Sequence, residues 1–316
     1  MDKIQEVIGR ISKLLSDLIA SRGDVSISPN IFSTDIIEKN LVWNKEKTPV
    51  NLNEEFEYDF FKTLYKNNYP QDFYHYTSLQ TLFSILTTGQ IHLSALTGMN
   101  DKTEIGFVNK FMDVNTVDPY SPVSMEYHNE HFIISFSGRQ DDFNQWRLYG
   151  DDGKGVCLKF STNPQVPAYK NVLISSVNYD LNDFSLIKNC LTDFRENLKI
   201  GFGIYAVNYW KFFYKHPDYE DENEVRLLVN NMDLSNHRVF KPSFKINRYG
   251  IIIPFIELDC IISTETCILR LEEIMVGPKT FEPELNQHQI VHLIKKMYDS
   301  SLWNIKVTQS NITHYR

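Results

Sequence analysis

The stretch Phe73–Gly89 reads FYHYTSLQTLFSILTTG and decides the fold class. Its first residues are aromatic and β-branched, which is typical of a strand. Ser78 then suits a helix N-cap, apolar residues follow at helical spacing, and Gly89 suits the left-handed residue that ends a helix. A strand joined directly to a capped helix predicts a mixed α and β domain, whose start we place near residue 71.

The chain after Gly89 continues this mixture of short strands and helices. Apolar runs bounded by turn residues predict further strands, and segments with a period near 3.6 predict helices. Together, the predicted strands and helices favour an α+β fold with a mostly antiparallel sheet. The predicted strands lie at 91–95, 132–136, 156–160, 172–179, 224–229, 250–258, 268–277 and 304–309, and the predicted helices at 102–112, about 183–215 and about 283–298.

The residues before this domain read as two helices and a connector. Apolar residues from Ile4 to Ile19 recur at steps of three and four, which predicts an amphipathic helix that ends before Gly23. Residues 23–52 are polar and turn-rich, so we expect a connecting region rather than a folded module. A second helical pattern covers residues 56–64.

This pattern divides the chain into a helical N-terminal extension and connector, residues 1–70, and a main domain, residues 71–316. Three roles stay open for residues 1–71: packing on the main domain, forming a homodimer, or contacting a partner protein. We favour packing over dimerisation for the first helix, because two heptads are short for a coiled coil.

Composition excludes several broad classes. The formal net charge is −8, which is the wrong sign for wide electrostatic contact with nucleic acid or anionic lipid. No run of 18 apolar residues and no secretory pattern occurs, so we expect a cytoplasmic protein that does not enter a membrane. The four cysteines form no CxxC pair and are read as reduced thiols.

Common catalytic motifs are absent from the sequence. There is no GxxxxGK[ST], GxGxxG, GxSxG or HExxH, so P-loop, Rossmann, hydrolase-elbow and zincin chemistries are unsupported. The pairs His128 with His131 and His288 with His292 have metal-like spacing but no third ligand nearby. We read them as surface or capping histidines and expect no metal.

Polar residues border several of the predicted strands. Ser135 and Ser137 alternate with Phe136, so both hydroxyls point to one face of the sheet and the phenyl ring to the other. Glu224 and Arg226 share a strand face in the same way. A carboxylate inside a strand is uncommon unless it is paired or functional. A surface ion pair is the structural alternative for these two residues.

Three ring-bearing side chains also have either a structural or a functional interpretation. His75 has aromatic neighbours in its strand, and a buried imidazole needs a hydrogen-bond partner, so it is either a core histidine or a functional one. Trp146 and Tyr149 are either core aromatics or part of a site.

Eight short motifs occur in a fixed order along the main domain. Together they resemble a bacterial family known only as a domain of unknown function, which similarity places within the ADP-ribosyltransferase-like superfamily. The resemblance covers about residues 72–316. The motifs are YHYTS (74–78), MNDKTE (99–104), SFS (135–137), WxxYG followed by KGVCLKF (146–160), VxY (177–179), K followed by ExExR (215–226), VGP (276–278) and SxIxxYR (310–316).

The resemblance implies a split, mostly antiparallel sheet with flanking helices and a cleft that holds NAD. It implies that His75 contacts the adenosine ribose, with a neutral ring that donates to a hydroxyl, and that Tyr149 or Trp146 stacks on nicotinamide. It assigns the carboxylate that grips the nicotinamide ribose to Glu224 or Glu222, and leaves the choice open. The residues implied to bind NAD are His75, Tyr76, Thr77, Asn100, Ser135, Ser137, Trp146, Tyr149 and Arg226.

The activity implied by the resemblance is cleavage of the nicotinamide–ribose bond of NAD, a co-substrate, with transfer of ADP-ribose to a macromolecule. The acceptor would be a protein or a nucleic acid, and the setting a toxin or an anti-phage defence effector. A catalytically silent module that senses a nucleotide or binds a protein is the first alternative. A metal-dependent nuclease that uses Asp101, Glu104 and Glu222 is the second.

Overall fold

The computed structural model of the chain describes residues 3–22, 33–64, 69–99, 103–112, 127–162, 171–231, 240–247, 250–261, 267–299 and 304–315. The chain divides into two compact units. Unit 1 comprises Met1–Asn68, Asp101–Val117 and Asn178–Tyr219, and unit 2 comprises Tyr69–Asn100, Asp118–Val177 and Glu220–Arg316. The N-terminal residues therefore share a compact unit with two later segments.

Helices and strands are interspersed along the described residues. No helix among them is long and apolar enough to cross a membrane. The helices are α1 (Lys3–Arg22), α2 (Thr34–Lys39), α3 (Glu54–Leu64), α4 (Leu79–Thr88), α5 (Thr103–Phe111), α6 (Phe143–Leu148), α7 (Asn182–Asp193), α8 (Val207–Trp210) and α9 (Pro283–Met297). The strands are β1 (Leu41–Trp43), β2 (Pro49–Leu52), β3 (Asp72–Thr77), β4 (Gln90–Ala95), β5 (His131–Ser137), β6 (Val156–Thr162), β7 (Val172–Ser176), β8 (Glu224–Asn230), β9 (Ser243–Ile246), β10 (Ile252–Asp259), β11 (Leu269–Val276) and β12 (Lys306–Gln309).

Helix α1 packs within unit 1, mainly against α7. The amphipathic pattern predicted this helix correctly, and its apolar face is buried. Ion pairs of Arg10 with Asp193 and of Arg22 with Asp183 join the two helices. Tyr214 also donates a hydrogen bond of 2.8 Å to Asp183. A role of residues 1–71 in dimerisation stays a prediction.

Two predictions for unit 1 are wrong in part. Residues 34–52 are more than a connector, because they form α2 and the antiparallel pair of β1 and β2. These elements are too short for their periodicity to show in the sequence. The helix expected over 183–215 is interrupted, since Lys199 takes a left-handed conformation (φ 56°) and Gly201 and Gly203 follow.

Unit 2 is built on a ten-stranded mixed sheet that is mostly antiparallel. The strand order is β12-β11-β6-β3-β5-β4-β10-β9, with β8 paired to β5 and β7 paired to β8. Only β11 and β12 are parallel among the described pairs. The predicted α+β class with a mostly antiparallel sheet is confirmed.

Strands β3 and β5 are neighbours in the sheet, but they pair with each other over a very short stretch. β3 pairs with β6 from Asp72 opposite Ser161 to Thr77 opposite Val156. Between β3 and β5, by contrast, the described register contains the single pair of Tyr74 and Ser137. Side chains from the unpaired parts of these two strands therefore lie beside a gap in the backbone ladder.

One face of the sheet carries the main core of unit 2. Helix α4 covers part of this face, and it begins and ends as predicted: Ser78 Oγ accepts from Thr81 N at 3.1 Å, and Gly89 has φ 76°. Side chains alternate along strands, so the residues next to these core positions face the other way. Buried core residues include Phe73, Leu82, Leu86, Phe136, Leu158, Val225, Leu227, Ile256 and Ile294.

Candidate functional site

The polar residues of β5 and β8 lie on the sheet face opposite this core. In the register, Ser135 opposes Arg226 and Ser137 opposes Glu224. Phe136, between the two serines, points into the core, where its ring packs edge-on against Phe73 at 4.8 Å. We call the face that carries Ser135, Ser137, Glu224 and Arg226 the polar face.

Glu224 and Arg226 form a buried ion pair. The guanidinium Nε donates to Glu224 Oε1 at 2.7 Å and Nη2 donates to Oε2 at 2.9 Å. Glu224 is 5% exposed and Arg226 is 2% exposed, so the surface interpretation of this pair is wrong. Such a bidentate ion pair compensates the charge of both side chains inside the protein.

Glu222 is held in a different environment, two residues earlier in the chain. Its side chain is half-buried, and Tyr149 donates a hydrogen bond to Oε1 at 3.1 Å. Its main-chain oxygen accepts hydrogen bonds from Ser137 Oγ at 3.0 Å and from Gln145 Nε2 at 3.3 Å. Asn223, in a left-handed conformation (φ 44°), redirects the chain between Glu222 and β8. Residues of β5 and α6 thus position this acidic residue.

Of the two aromatic candidates, Trp146 is buried and Tyr149 is exposed. Trp146 has no exposed surface, and its Nε1 donates to Asp141 Oδ1 at 2.8 Å. The ring of Tyr76 meets it edge-on at 5.0 Å, and the Tyr76 hydroxyl donates to Arg139 O at 2.9 Å. Tyr149 is 45% exposed. Tyr149 therefore has solvent-exposed surface, whereas Trp146 and Tyr76 are buried against each other.

His75 lies beside the gap between β3 and β5. Its Nδ1 is 3.1 Å from the main-chain oxygen of Ser135, and its ring meets Phe136 edge-on at 5.8 Å. A carbonyl oxygen only accepts, so Nδ1 carries the proton and Nε2 has the lone pair in the neutral ring. Burial lowers the pKa of His75 and keeps it neutral near neutral pH. In this tautomer Nε2 is available to accept a hydrogen bond from a hydroxyl group, whereas the resemblance implies that the ring donates one.

Some candidate residues lie elsewhere or outside the described residues. Thr77 is half-buried at the end of β3, opposite Val156. Asn100 and Asp101 are outside the described residues, and so is the side chain of Glu104, whose backbone belongs to α5 in unit 1.

The described residues contain no group of three or more histidine, cysteine, aspartate or glutamate side chains that could hold a metal ion. His131 is buried, with its Nδ1 2.8 Å from Tyr127 O. His288 and His292 are exposed on α9.

Sequence reasoning missed a second group on the polar face, at the other end of the sheet. Lys245 of β9 and His92 of β4 lie there, and both contact the buried ring of Phe255 in β10. Strand β9 has only four residues, and no motif surrounds Lys245. The alternating pattern SFKI was the one local signal for a strand at this position.

Residues 145–227 match a family model whose description is "Protein of unknown function (DUF2971)". No curated protein and no solved structure matches the chain. The matched segment includes Trp146, Tyr149, Glu222, Glu224 and Arg226 of the candidate site. A DUF2971 domain is therefore found at residues 145–227, and its description assigns no activity.

Proposed function

We propose that the chain is an NAD-consuming, ADP-ribosyltransferase-like enzyme. It would cleave the nicotinamide–ribose bond and transfer ADP-ribose to a protein or nucleic acid. The observation that carries the proposal is the half-buried Glu222 carboxylate, held by the hydroxyl of the exposed Tyr149. The order of the sequence motifs supports the same chemistry. A toxin or anti-phage defence effector in the cytoplasm is the setting that we propose.

This reaction needs a fixed negative charge. When the bond between ribose and nicotinamide breaks, nicotinamide leaves with the bonding electrons and positive charge develops on the sugar. A nucleophile of the acceptor then forms a bond to the same carbon and loses its proton to a base. Glu222 suits both tasks, because its side chain is half-buried and one of its oxygens accepts a hydrogen bond from Tyr149.

In this proposal Glu222 and Glu224 have different roles. Both oxygens of Glu224 accept hydrogen bonds from Arg226, so its charge is already compensated. Glu222 is therefore the catalytic residue. Glu224 and Arg226 are positioning residues, which hold β8 and the preceding turn against β5.

Other side chains offer an aromatic face and hydrogen-bonding groups for the nicotinamide and ribose of a dinucleotide. The flat ring of Tyr149 offers a face to nicotinamide without adding charge. Ser135 is exposed and brings a hydroxyl, and His75 brings an acceptor nitrogen, for the hydroxyls of a ribose. These donors and acceptors fit a sugar in chemical type.

Glutamine variants test the division between the glutamates. Nicotinamide release from NAD is measured for wild type, Glu222→Gln, Glu224→Gln and the control Glu284→Gln, which changes an exposed residue in the first turn of α9. We expect Glu222→Gln to lower the rate by about 10²–10³, and Glu284→Gln to leave it unchanged. Glu224→Gln is expected to reduce the rate together with a loss of stability, read from urea unfolding. A wild-type rate in Glu222→Gln would overturn the assignment.

A second candidate function has its own supporting observation. The buried pairing of Glu224 with Arg226 resembles a structural device more than a reactive one. A module that binds a nucleotide or a protein on the polar face would show saturable NAD binding without nicotinamide release. That result in calorimetry and chromatography would favour the module over the enzyme.

A further inference from the structure

Lys245 is a half-buried cation on the polar face of the sheet. In the register, Ser243 of β9 opposes Phe255 of β10, and Phe255 opposes Ser94 of β4. Residues two apart on a strand share a face, so Lys245 and His92 lie on the same face as Phe255. Three strands therefore place these side chains together.

The same face continues to the candidate site. Ser94 opposes Ile133 of β5, and Ser135 is two residues further along that strand. Ser135 is exposed, and its main-chain oxygen accepts a hydrogen bond from His75. Lys245 and His92 thus share the polar face with Ser135, which we assign to the NAD site.

The ring of Phe255 contacts both Lys245 and His92. The Lys245 Nζ is 5.1 Å from the ring centroid, and the His92 ring centroid is 4.3 Å away at a tilt of 35°. Phe255 is 7% exposed, so both side chains contact a buried ring.

The ammonium of Lys245 has no acidic partner among the described residues. Within the described part of the chain, no carboxylate lies within ion-pairing distance of Lys245, and burial lowers the pKa of Lys245 with no acidic group opposing it. Burial, and then the charge of Lys245, lower the pKa of His92, whereas Glu257, 3.7 Å from its Nε2, opposes them. The pKa of His75 is lowered by burial and also by Lys245. One half-buried cation thus acts on two histidines.

We propose that Lys245 and His92, which both contact Phe255, bind a phosphate group of a ligand. An ammonium offers three donors and a full charge, an imidazole adds a ring N–H, and a phosphate oxygen accepts from both. A bound phosphate would supply the acidic partner that Lys245 lacks among the described residues. The identity of that phosphate as part of NAD rests on the proposed function, whereas the anion site rests on these residues alone.

Inorganic pyrophosphate is the probe that tests the site directly. Its affinity is measured by calorimetry for wild type, Lys245→Met, Lys245→Arg and Lys306→Met. Lys306 is an exposed lysine on β12, at the opposite end of the sheet, so it controls for the loss of one charge. We expect Lys245→Met to weaken binding at least about ten-fold, Lys245→Arg to retain most of it, and Lys306→Met to leave it unchanged.

A second readout is the titration of His92 by NMR. Lys245 and Glu257 are the charged groups that act on this ring among the described residues. A bound anion stabilises the protonated ring, so pyrophosphate is expected to raise the pKa of His92. An unshifted His92, no binding by wild type, or equal losses in Lys245→Met and Lys306→Met would overturn the site and leave Lys245 as a packing residue over Phe255.

The failure of this site is distinguishable from the failure of the proposed function. Pyrophosphate binding that depends on Lys245, without any nicotinamide release, would retain the anion site and reject the enzyme. Nicotinamide release with an unchanged KM for NAD in Lys245→Met would retain the enzyme and reject Lys245 as a contact for NAD.

Discussion

Each compact unit buries a glutamate, and the two are held in opposite ways. Glu224 in unit 2 receives two hydrogen bonds from Arg226. Glu57 in unit 1 lines a small apolar void, where Oε2 accepts from Ala206 N at 2.9 Å and Oε1 has no described partner. Burial raises the pKa of Glu57 to about 7, although main-chain hydrogen bonds oppose the rise.

The difference shows that the buried carboxylates of the two units have different kinds of partner. Arg226 donates to both oxygens of Glu224, whereas burial raises the pKa of Glu57. Lys245 is a third case, a half-buried base with no acidic partner among the described residues. We interpret the paired Glu224 as a structural residue and Lys245 as part of the proposed anion site.

Breaking the compensated pair is expected to have the largest effect on stability. Arg226→Met leaves the Glu224 carboxylate buried without its partner, so we expect a loss of about 3–5 kcal/mol in the free energy of unfolding, measured in urea. Arg270→Met is the matched control, because Arg270 pairs with Glu272 at the same spacing on an exposed part of β11. Its expected loss is under about 1 kcal/mol. Equal losses would contradict the contrast.

Replacing Glu57 by a side chain that cannot ionise is expected to have the next largest effect on stability. The folded pKa is raised, so the stability that Glu57 contributes is fully present below its unfolded pKa and is lost as pH rises through about 7. Glu57→Gln cannot ionise, and we expect it to gain about 2 kcal/mol relative to wild type between about pH 5 and about pH 8. Urea unfolding at both pH values measures this, and a difference that does not change with pH would be inconsistent with it.

Removing the uncompensated cation is expected to have the smallest effect on folding. Lys245→Met deletes a desolvated charge without an acidic partner and retains an apolar stem over Phe255. We expect the free energy of unfolding to change by less than about 1 kcal/mol in either direction. A loss as large as that of Arg226→Met would show that Lys245 has a structural partner, and the contrast would fail.

Local patterns were enough to predict much of unit 2. The strand at Phe73, the capped helix that ends at Gly89 and the shared face of Ser135 and Ser137 follow from chemistry within a few residues. The same holds for the apolar face of α1. Periodicity and capping act over short distances, so the sequence displays them directly.

Tertiary environment could not be predicted in this way. The burial of Glu224 and Arg226 depends on what surrounds β8, and the exposure of Tyr149 depends on where α6 ends. Lys245 and His92 are about 150 residues apart in sequence and meet only because β4 and β9 both pair with β10. No local sequence pattern predicts that these two side chains lie close together.

The most direct test of the account is nicotinamide release from NAD by purified wild-type protein, with and without a bacterial lysate and with EDTA present. We expect wild type to release nicotinamide in EDTA, the rate to fall by about 10²–10³ in Glu222→Gln, and lysate to stimulate release where a macromolecular acceptor is needed. No release under any of these conditions would contradict it.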